Sequence, residues 1–163
     1  MNNETTLRAT SALLPENCLA PRLIVFERTG RWAVALRREL SDRLSSSQEI
    51  RIWETRGMEA CRRMLSESPS ALVVAEATRA NIEELLAYVA QWSREFPASR
   101  IAVVTERSLA PYEAILRETA AVHVVYSTRQ LREVAGLAIQ HLRRAAMPLR
   151  TIHEQIWDDL PWG

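Results

Sequence analysis

The chain has 163 residues, a length that suits one compact domain able to bury most of its apolar surface without disulfides or metals. Its 21 basic and 20 acidic residues leave a formal charge of +1, so no bulk field attracts nucleic acid or an anionic membrane. We therefore expect neither nucleic acid nor a membrane among its partners. Every basic residue is an arginine, so no lysine is present to take part in chemistry.

The cysteines and the N-terminal segment also restrict the class of protein. Cys18 and Cys61 are far apart in sequence and show no CxxC or histidine spacing, which argues against a disulfide framework or a zinc site. Residues 1–20 are polar where a secretory signal needs a positive start and an apolar core, and no run of about 18 apolar residues occurs anywhere. We expect reduced thiols, a flexible N-terminal tail over residues 1–20 and a cytoplasmic location.

The first two predicted units each consist of a strand followed by a helix. Residues 22–27 are rich in β-branched and aromatic side chains, as in a strand, and apolar residues then recur at steps of four from 32 to 44, as on one face of a helix. The polar residues 45–48 predict a loop. Residues 49–54 alternate between apolar and polar, as in an outer strand, and the spacing within 58–65 predicts a second helix.

The third unit contains the most continuously apolar run of the chain. Residues 71–76, ALVVAE, predict a central strand that is buried on both faces and ends in a carboxylate. Asn81, with Glu84 three residues later, resembles a capping box, and an apolar face follows over residues 82–96. We therefore predict a third helix that begins after Asn81.

Two further units complete the pattern. Residues 100–105 predict the fourth strand, and Pro111 predicts the opening of the fourth helix, since proline is well accommodated in a first helical turn. Residues 121–126 predict the fifth strand, and a helical apolar spacing extends from about 129 to 145. Strand and helix thus alternate five times.

Five strands that alternate with five helices predict an α/β fold, a doubly wound parallel sheet covered by helices on both faces. For this length we expect the flavodoxin-like, receiver-like strand order 2-1-3-4-5 in a single domain over residues 21–146. The carboxyl ends of strands 1 and 3 then lie side by side, which makes Glu27 and Glu76 neighbours.

In element order and spacing, residues 21 to 145 resemble the receiver domains of two-component response regulators. The resemblance implies an acidic pair after strand 1, a phosphoacceptor Asp at the end of strand 3, a Thr or Ser after strand 4 and a Lys-Pro after strand 5. These positions correspond here to Glu27-Arg28, Glu76, Thr105 and Ser127-Thr128, and Thr105 alone conforms.

The departures from the receiver pattern argue against catalysis. The only aspartates are Asp42, inside the first helix pattern, and Asp158 and Asp159 near the end of the chain, so none follows a strand. Phosphoryl transfer needs carboxylates that hold Mg²⁺ and a cation that neutralises developing charge. Arg28 occupies the position of one of the two carboxylates that would hold the metal, and the lysine expected after strand 5 is missing. We expect no self-phosphorylation, no catalytic residues, no bound metal, no cofactor and no enzyme activity.

Two interpretations of Glu76 remain open from the sequence. It could act as a permanent substitute for a phosphorylated Asp, with Arg28 and Thr105 as partners of its charge. It could instead be a carboxylate at the sheet edge that is ion-paired with Arg28 and contributes little beyond about 1 kcal/mol. We favour the second interpretation, because a carboxylate copies the three oxygens of a phosphoryl group poorly.

The segment 147–163 is the other informative feature. Its apolar residues recur at steps of three or four, which predicts an amphipathic helix, and it contains two tryptophans. Such a segment buries itself on its own domain or on a partner, and the sequence leaves both possibilities open. The residues expected to form the contact are Ile156, Trp157, Leu160 and Trp162.

We predict a non-phosphorylatable pseudo-receiver that acts as a protein-protein interaction module in bacterial-type signalling or regulation. Its partner is another protein, or a second copy in a homodimer. By resemblance, the surface of the fourth helix, fifth strand and fifth helix is a candidate interface, with Tyr112, Leu116, Arg129 and Arg132. The alternative is a flavodoxin-like domain that binds a small ligand or acts as an enzyme through Glu27, Arg28, Glu76 and Thr105.

Overall fold

A computed structural model describes residues 21–44 and 50–145 of the chain. The predicted tails at 1–20 and 147–163 lie outside these residues, and so does the predicted loop at 45–48. The tail residues Ile156, Trp157, Leu160 and Trp162 therefore stay predictions from sequence.

The five predicted strands form one parallel sheet in the order β2-β1-β3-β4-β5, which confirms the predicted topology. Four of them begin and end within one residue of the predicted bounds, whereas β2 begins three residues later than predicted. The strands are β1 (Leu23–Phe26), β2 (Ile52–Thr55), β3 (Leu72–Glu76), β4 (Arg100–Val104) and β5 (Ala121–Val125).

The five helices cover both faces of this sheet. Helices α1 and α5 share one core with alternate residues of the central strands, whereas α2, α3 and α4 pack on the other face. Leu72 and Val74 of β3 face the first core, and Val73 and Ala75 face the second, so β3 is buried on both faces as predicted. The helices are α1 (Arg31–Ser41), α2 (Met58–Glu67), α3 (Ile82–Glu95), α4 (Glu113–Glu118) and α5 (Leu131–Ala145).

Two helix openings differ from the predictions. Pro111 lies inside a 3-10 helix, Arg107–Tyr112, and α4 begins after it at Glu113. Asn81 does occupy the position before α3, but its side chain makes no capping bond. Its carboxamide oxygen accepts from Thr78 N–H, and its amide nitrogen donates to the carbonyl of Glu76. The side chain therefore stabilises the loop after β3 and does not cap the helix.

Cys61 of α2 is a free thiol in the core between α2, α3 and the sheet. Burial raises the pKa of this thiol to about 12, because the thiolate would lose its hydration. The side chain therefore behaves as a small apolar group rather than as a nucleophile.

No helix within residues 21–44 and 50–145 combines the length and the apolar character needed to cross a membrane. The cytoplasmic location stays a prediction.

Candidate functional site

The candidate site lies where the strand order reverses, at the carboxyl ends of β1 and β3. Phe26 of β1 is opposite Ala75 of β3, so the residues that follow each of them, Glu27 and Glu76, are neighbours as predicted. Both carboxylates lie inside the protein, with only 3% of Glu27 and 8% of Glu76 exposed. Buried carboxylates require hydrogen-bond donors, and the chain provides them locally.

Glu27 caps the N-terminus of α1 from outside the helix. Its Oε2 accepts from the backbone N–H of Trp32 at 2.9 Å, and its Oε1 accepts from Ala33 N–H at 2.6 Å. Gly30, with a φ of +81°, makes the left-handed turn that brings the helix start back toward the strand end. The carboxylate thus satisfies two N–H groups that have no partner within the helix and lies at the positive end of its dipole.

Glu76 receives two hydrogen bonds of a different kind. Its Oε1 accepts from the indole Nε1–H of Trp32 at 3.0 Å, and its Oε2 accepts from the backbone N–H of Arg28 at 3.0 Å. Trp32 is 1% exposed and donates to both carboxylates, through its backbone to Glu27 and through its side chain to Glu76. We call these three residues the Glu27–Trp32–Glu76 cluster.

The partners expected for the charge of Glu76 differ from those in the structure. Arg28 contributes its backbone N–H, and within the described part of the chain its exposed guanidinium forms no ion pair with Glu76. The buried hydroxyl of Thr105 donates to the carbonyl of Ala77 at 2.9 Å instead of to the carboxylate. Both side-chain pairings of Glu76 predicted from sequence are therefore wrong, because backbone groups and an indole lie closer.

Ser127 is the residue that the receiver resemblance aligns with a lysine. Its hydroxyl accepts from the backbone N–H of Arg129 at 3.3 Å and so begins the 3-10 helix Thr128–Gln130, which leads into α5. The side chain thus has a structural role in its own turn.

Four side chains at the carboxyl ends of the strands, those of Glu27, Glu76, Thr105 and Ser127, therefore form hydrogen bonds within the domain. Within residues 21–44 and 50–145, no three His, Cys, Asp or Glu side chains are grouped so that they could hold a metal ion. Each of the four carboxylate oxygens of Glu27 and Glu76 already accepts one N–H donor. Only their second lone pairs remain for a ligand.

The candidate interface of α4, β5 and α5 is partly apolar. Tyr112, Ile115 and Val122 are exposed by 36%, 46% and 40% respectively. Leu116 is fully buried in the core, so the prediction that it contacts a partner is wrong. Leu116 is the one buried residue of the short α4, and the periodicity alone does not separate it from the adjacent, exposed Ile115. Arg129 and Arg132 are exposed, and their contact with a partner stays a prediction.

A hydrogen bond joins α4 to Tyr126, which follows β5, and an ion pair within α4 shares the same carboxylate. The hydroxyl of Tyr126 donates to Glu113 Oε2 at 2.6 Å, and Arg117 Nε donates to Glu113 Oε1 at 2.8 Å. The Tyr126 hydroxyl, together with the Arg117 guanidinium, lowers the pKa of Glu113. Burial, with the adjacent Glu113, raises the pKa of Tyr126 to about 12. Nearby on β5, His123 Nε2 lies 2.8 Å from Glu133 Oε2.

Comparisons with known proteins support the fold. No protein-family model matches the chain, and no curated protein matches it. A solved structure from Burkholderia pseudomallei, described as pilus assembly-related, matches with a TM-score of 0.55 and 18% identity over 76% of this chain and 92% of its own. A Burkholderia thailandensis structure, described as the pilus assembly protein cpaE, gives a TM-score of 0.54 and 18% identity over 75% and 99%.

At this level of identity the likeness concerns the fold alone. It agrees with the strand order and the helix arrangement described above. The chain has an α/β, flavodoxin-like fold.

Proposed function

We propose that this chain is a non-phosphorylatable, receiver-like domain that acts as a protein-protein interaction module in signalling or regulation. One observation carries the proposal: both carboxylates at the point where the strand order reverses accept hydrogen bonds from their own domain. In a catalytic receiver, such groups must be free to hold Mg²⁺ and accept a phosphoryl group. Here the oxygens of Glu27 and Glu76 accept N–H groups of the same domain.

The same geometry favours a structural role for Glu76 over imitation of a phosphorylated aspartate. A phosphoryl mimic would hold the hydroxyl that follows β4, but Thr105 donates to Ala77. Glu76 instead fixes Trp32 and the loop at Arg28. The small-ligand alternative is less well supported, since it needs Glu27, Glu76 and Thr105 free for a ligand.

The partner is a protein, and a second copy of the chain is one candidate. Both structural neighbours are described as pilus assembly proteins, so components of an assembly apparatus form one class of partner to test. At 18% identity, these neighbours do not indicate a particular partner for this chain.

Incubation of the full chain with acetyl phosphate and Mg²⁺ should leave its intact mass unchanged. The reason is that Glu76 accepts hydrogen bonds within the domain, that Arg28 occupies one of the two acidic positions of a receiver, and that the sequence contains no lysine. Glu76→Asp serves as a matched control, because it restores the residue type of a phosphoacceptor without the other groups. We expect this variant to stay unmodified too. An added phosphoryl group on the wild-type protein, detected by mass spectrometry, would contradict the proposal.

A second prediction concerns the exposed apolar residues of α4 and β5. Ile115→Ser with Val122→Ser should reduce partner capture from a lysate of the source cells at least several-fold, because apolar contact area at an interface is lost. Val34→Ser is the matched control, since this valine is 65% exposed on α1. Quantitative mass spectrometry of captured proteins, with sedimentation analysis for a homodimer, measures the effect. Equal capture by all three proteins would reject this face as the interface.

A further inference from the structure

A groove of 510 Å³ lies between the C-terminal end of α1 and the last turns of α5, on the face away from α4. Arginines form much of its wall, and one isoleucine adds an apolar surface. The lining residues are Arg43, Gly136, Ile139, Gln140, Arg143 and Arg144. The groove is separate from the Glu27–Trp32–Glu76 cluster.

Gly136 allows an arginine to approach α5 closely. A Cβ at position 136 would lie 3.3 Å from Arg43 Nη1, so a side chain there would press on the guanidinium. Glycine weakens the interior of a helix, and its presence in α5 is consistent with a need for this approach. Within the described residues, neither Arg43 nor Arg144 has a carboxylate at ion-pair distance. Their charges therefore remain available to an anionic group.

The chain itself contains an anionic and apolar segment that begins next to this groove. The described part of α5 reaches Ala145, one residue after Arg144. Residues 147–163 carry three carboxylates, Glu154, Asp158 and Asp159, and one arginine, together with the apolar repeat noted above. Their charge and their apolar side chains complement the arginines and Ile139 of the groove.

The chain between Ala145 and Asp158 is also long enough to reach back to the groove. Pro148 favours an end to the helix and a change of chain direction. The 13 residues from Ala145 to Asp158 span about 20 Å as a helix and about 43 Å when extended. Ile139 is only six residues, about 9 Å, back along α5. After a turn at Pro148, the ten residues to Asp158 span about 15 Å as a helix, which matches the distance of about 14 Å from Ala145 back to Gly136, the residue beside Arg43.

We propose that residues 147–163 of the same chain occupy the groove between α1 and α5, with Asp158 and Asp159 at Arg43 and Arg144. A segment tethered this closely has an effective concentration in the millimolar range, which favours it over a free competitor. The contact would cover the apolar residues of the segment and withdraw its tryptophans from other proteins. It is independent of the proposed interaction function, since a domain with or without a partner can bind its own terminus.

Hydrogen-deuterium exchange of the full chain tests this contact. Amides within 147–163 should exchange about tenfold more slowly than in a free peptide of the same sequence, because the docked segment is protected. Arg43→Gln with Arg144→Gln should remove most of this protection, and so should Asp158→Asn with Asp159→Asn. Arg63→Gln is the matched control, since Arg63 is an exposed arginine on α2, on the other face of the sheet.

Amides of β3 report whether each variant is still folded, so loss of the fold is distinguishable from loss of the contact. Exchange in 147–163 as fast as in the free peptide would overturn the proposal. Protection that grows with protein concentration would assign the groove to a second copy instead. Protection that survives both pairs of substitutions would show that the segment binds elsewhere.

Discussion

Glu27→Ala should lower the free energy of unfolding by about 3 kcal/mol, because it leaves two buried helix N–H groups without an acceptor. The carboxylate is 3% exposed and receives hydrogen bonds from Trp32 and Ala33 at 2.9 and 2.6 Å. Water cannot easily replace it at this depth. The cost should therefore exceed that of an ordinary helix cap, whose loss costs typically about 1 kcal/mol.

Chemical denaturation monitored by circular dichroism measures this change. Glu27→Gln should cost about 2 kcal/mol, since the amide keeps one acceptor but turns a donor toward the second N–H group. Glu118→Ala removes an exposed carboxylate on α4 and should change stability by no more than about 0.5 kcal/mol. If Glu27→Ala is as mild as this control, then the carboxylate is not the anchor of α1.

The fold could be predicted from the sequence because its signals are periodic. A strand buried on both faces, such as β3, reads as a continuous apolar run. The alternation over residues 49–52 predicts an outer strand, but β2 itself has two apolar residues followed by two polar ones, so the sequence places its start three residues too early. The alternation of five strands with five helices leaves few topologies, and the structure has the expected one. The same reasoning placed Glu27 and Glu76 side by side.

The partners of those side chains were not predictable in the same way. Trp32 and Glu76 are 44 residues apart, and nothing in the local pattern distinguishes an indole that packs from one that also donates a hydrogen bond. From the sequence, Trp32 is only one of the apolar residues that recur between 32 and 44 on one face of α1. Asn81 is a second example. Its side chain can form hydrogen bonds with either the helix start or the loop after β3, and the local sequence does not distinguish the two.

The Glu27–Trp32–Glu76 cluster shows how two neighbouring carboxylates can be held inside the protein. Carboxylates held close together at a strand edge repel each other unless donors or a metal compensate. In this chain, one tryptophan offers its backbone N–H to Glu27 and its indole N–H to Glu76. These two hydrogen bonds offset part of the repulsion between the carboxylates.

A double-mutant cycle on Trp32 and Glu76 should show a coupling of about 2 kcal/mol, because the indole donates to a largely buried carboxylate. We expect Trp32→Phe and Glu76→Ala each to cost about 3 kcal/mol, from lost packing and from the polar group left without its partner. The double variant should then cost about 4 kcal/mol rather than the sum of the two.

Trp92 provides a matched control within the same protein. It is fully buried in α3, and its Nε1 has no hydrogen-bond partner in the described part of the chain. Trp92→Phe therefore removes a similar volume and the same N–H group without breaking a hydrogen bond, so it should cost only about 1 to 2 kcal/mol. Its cycle with Glu76→Ala should give a coupling near zero. Equal couplings for the two tryptophans would mean that the hydrogen bond from Trp32 does not hold Glu76, and the carboxylate would again be open to another role.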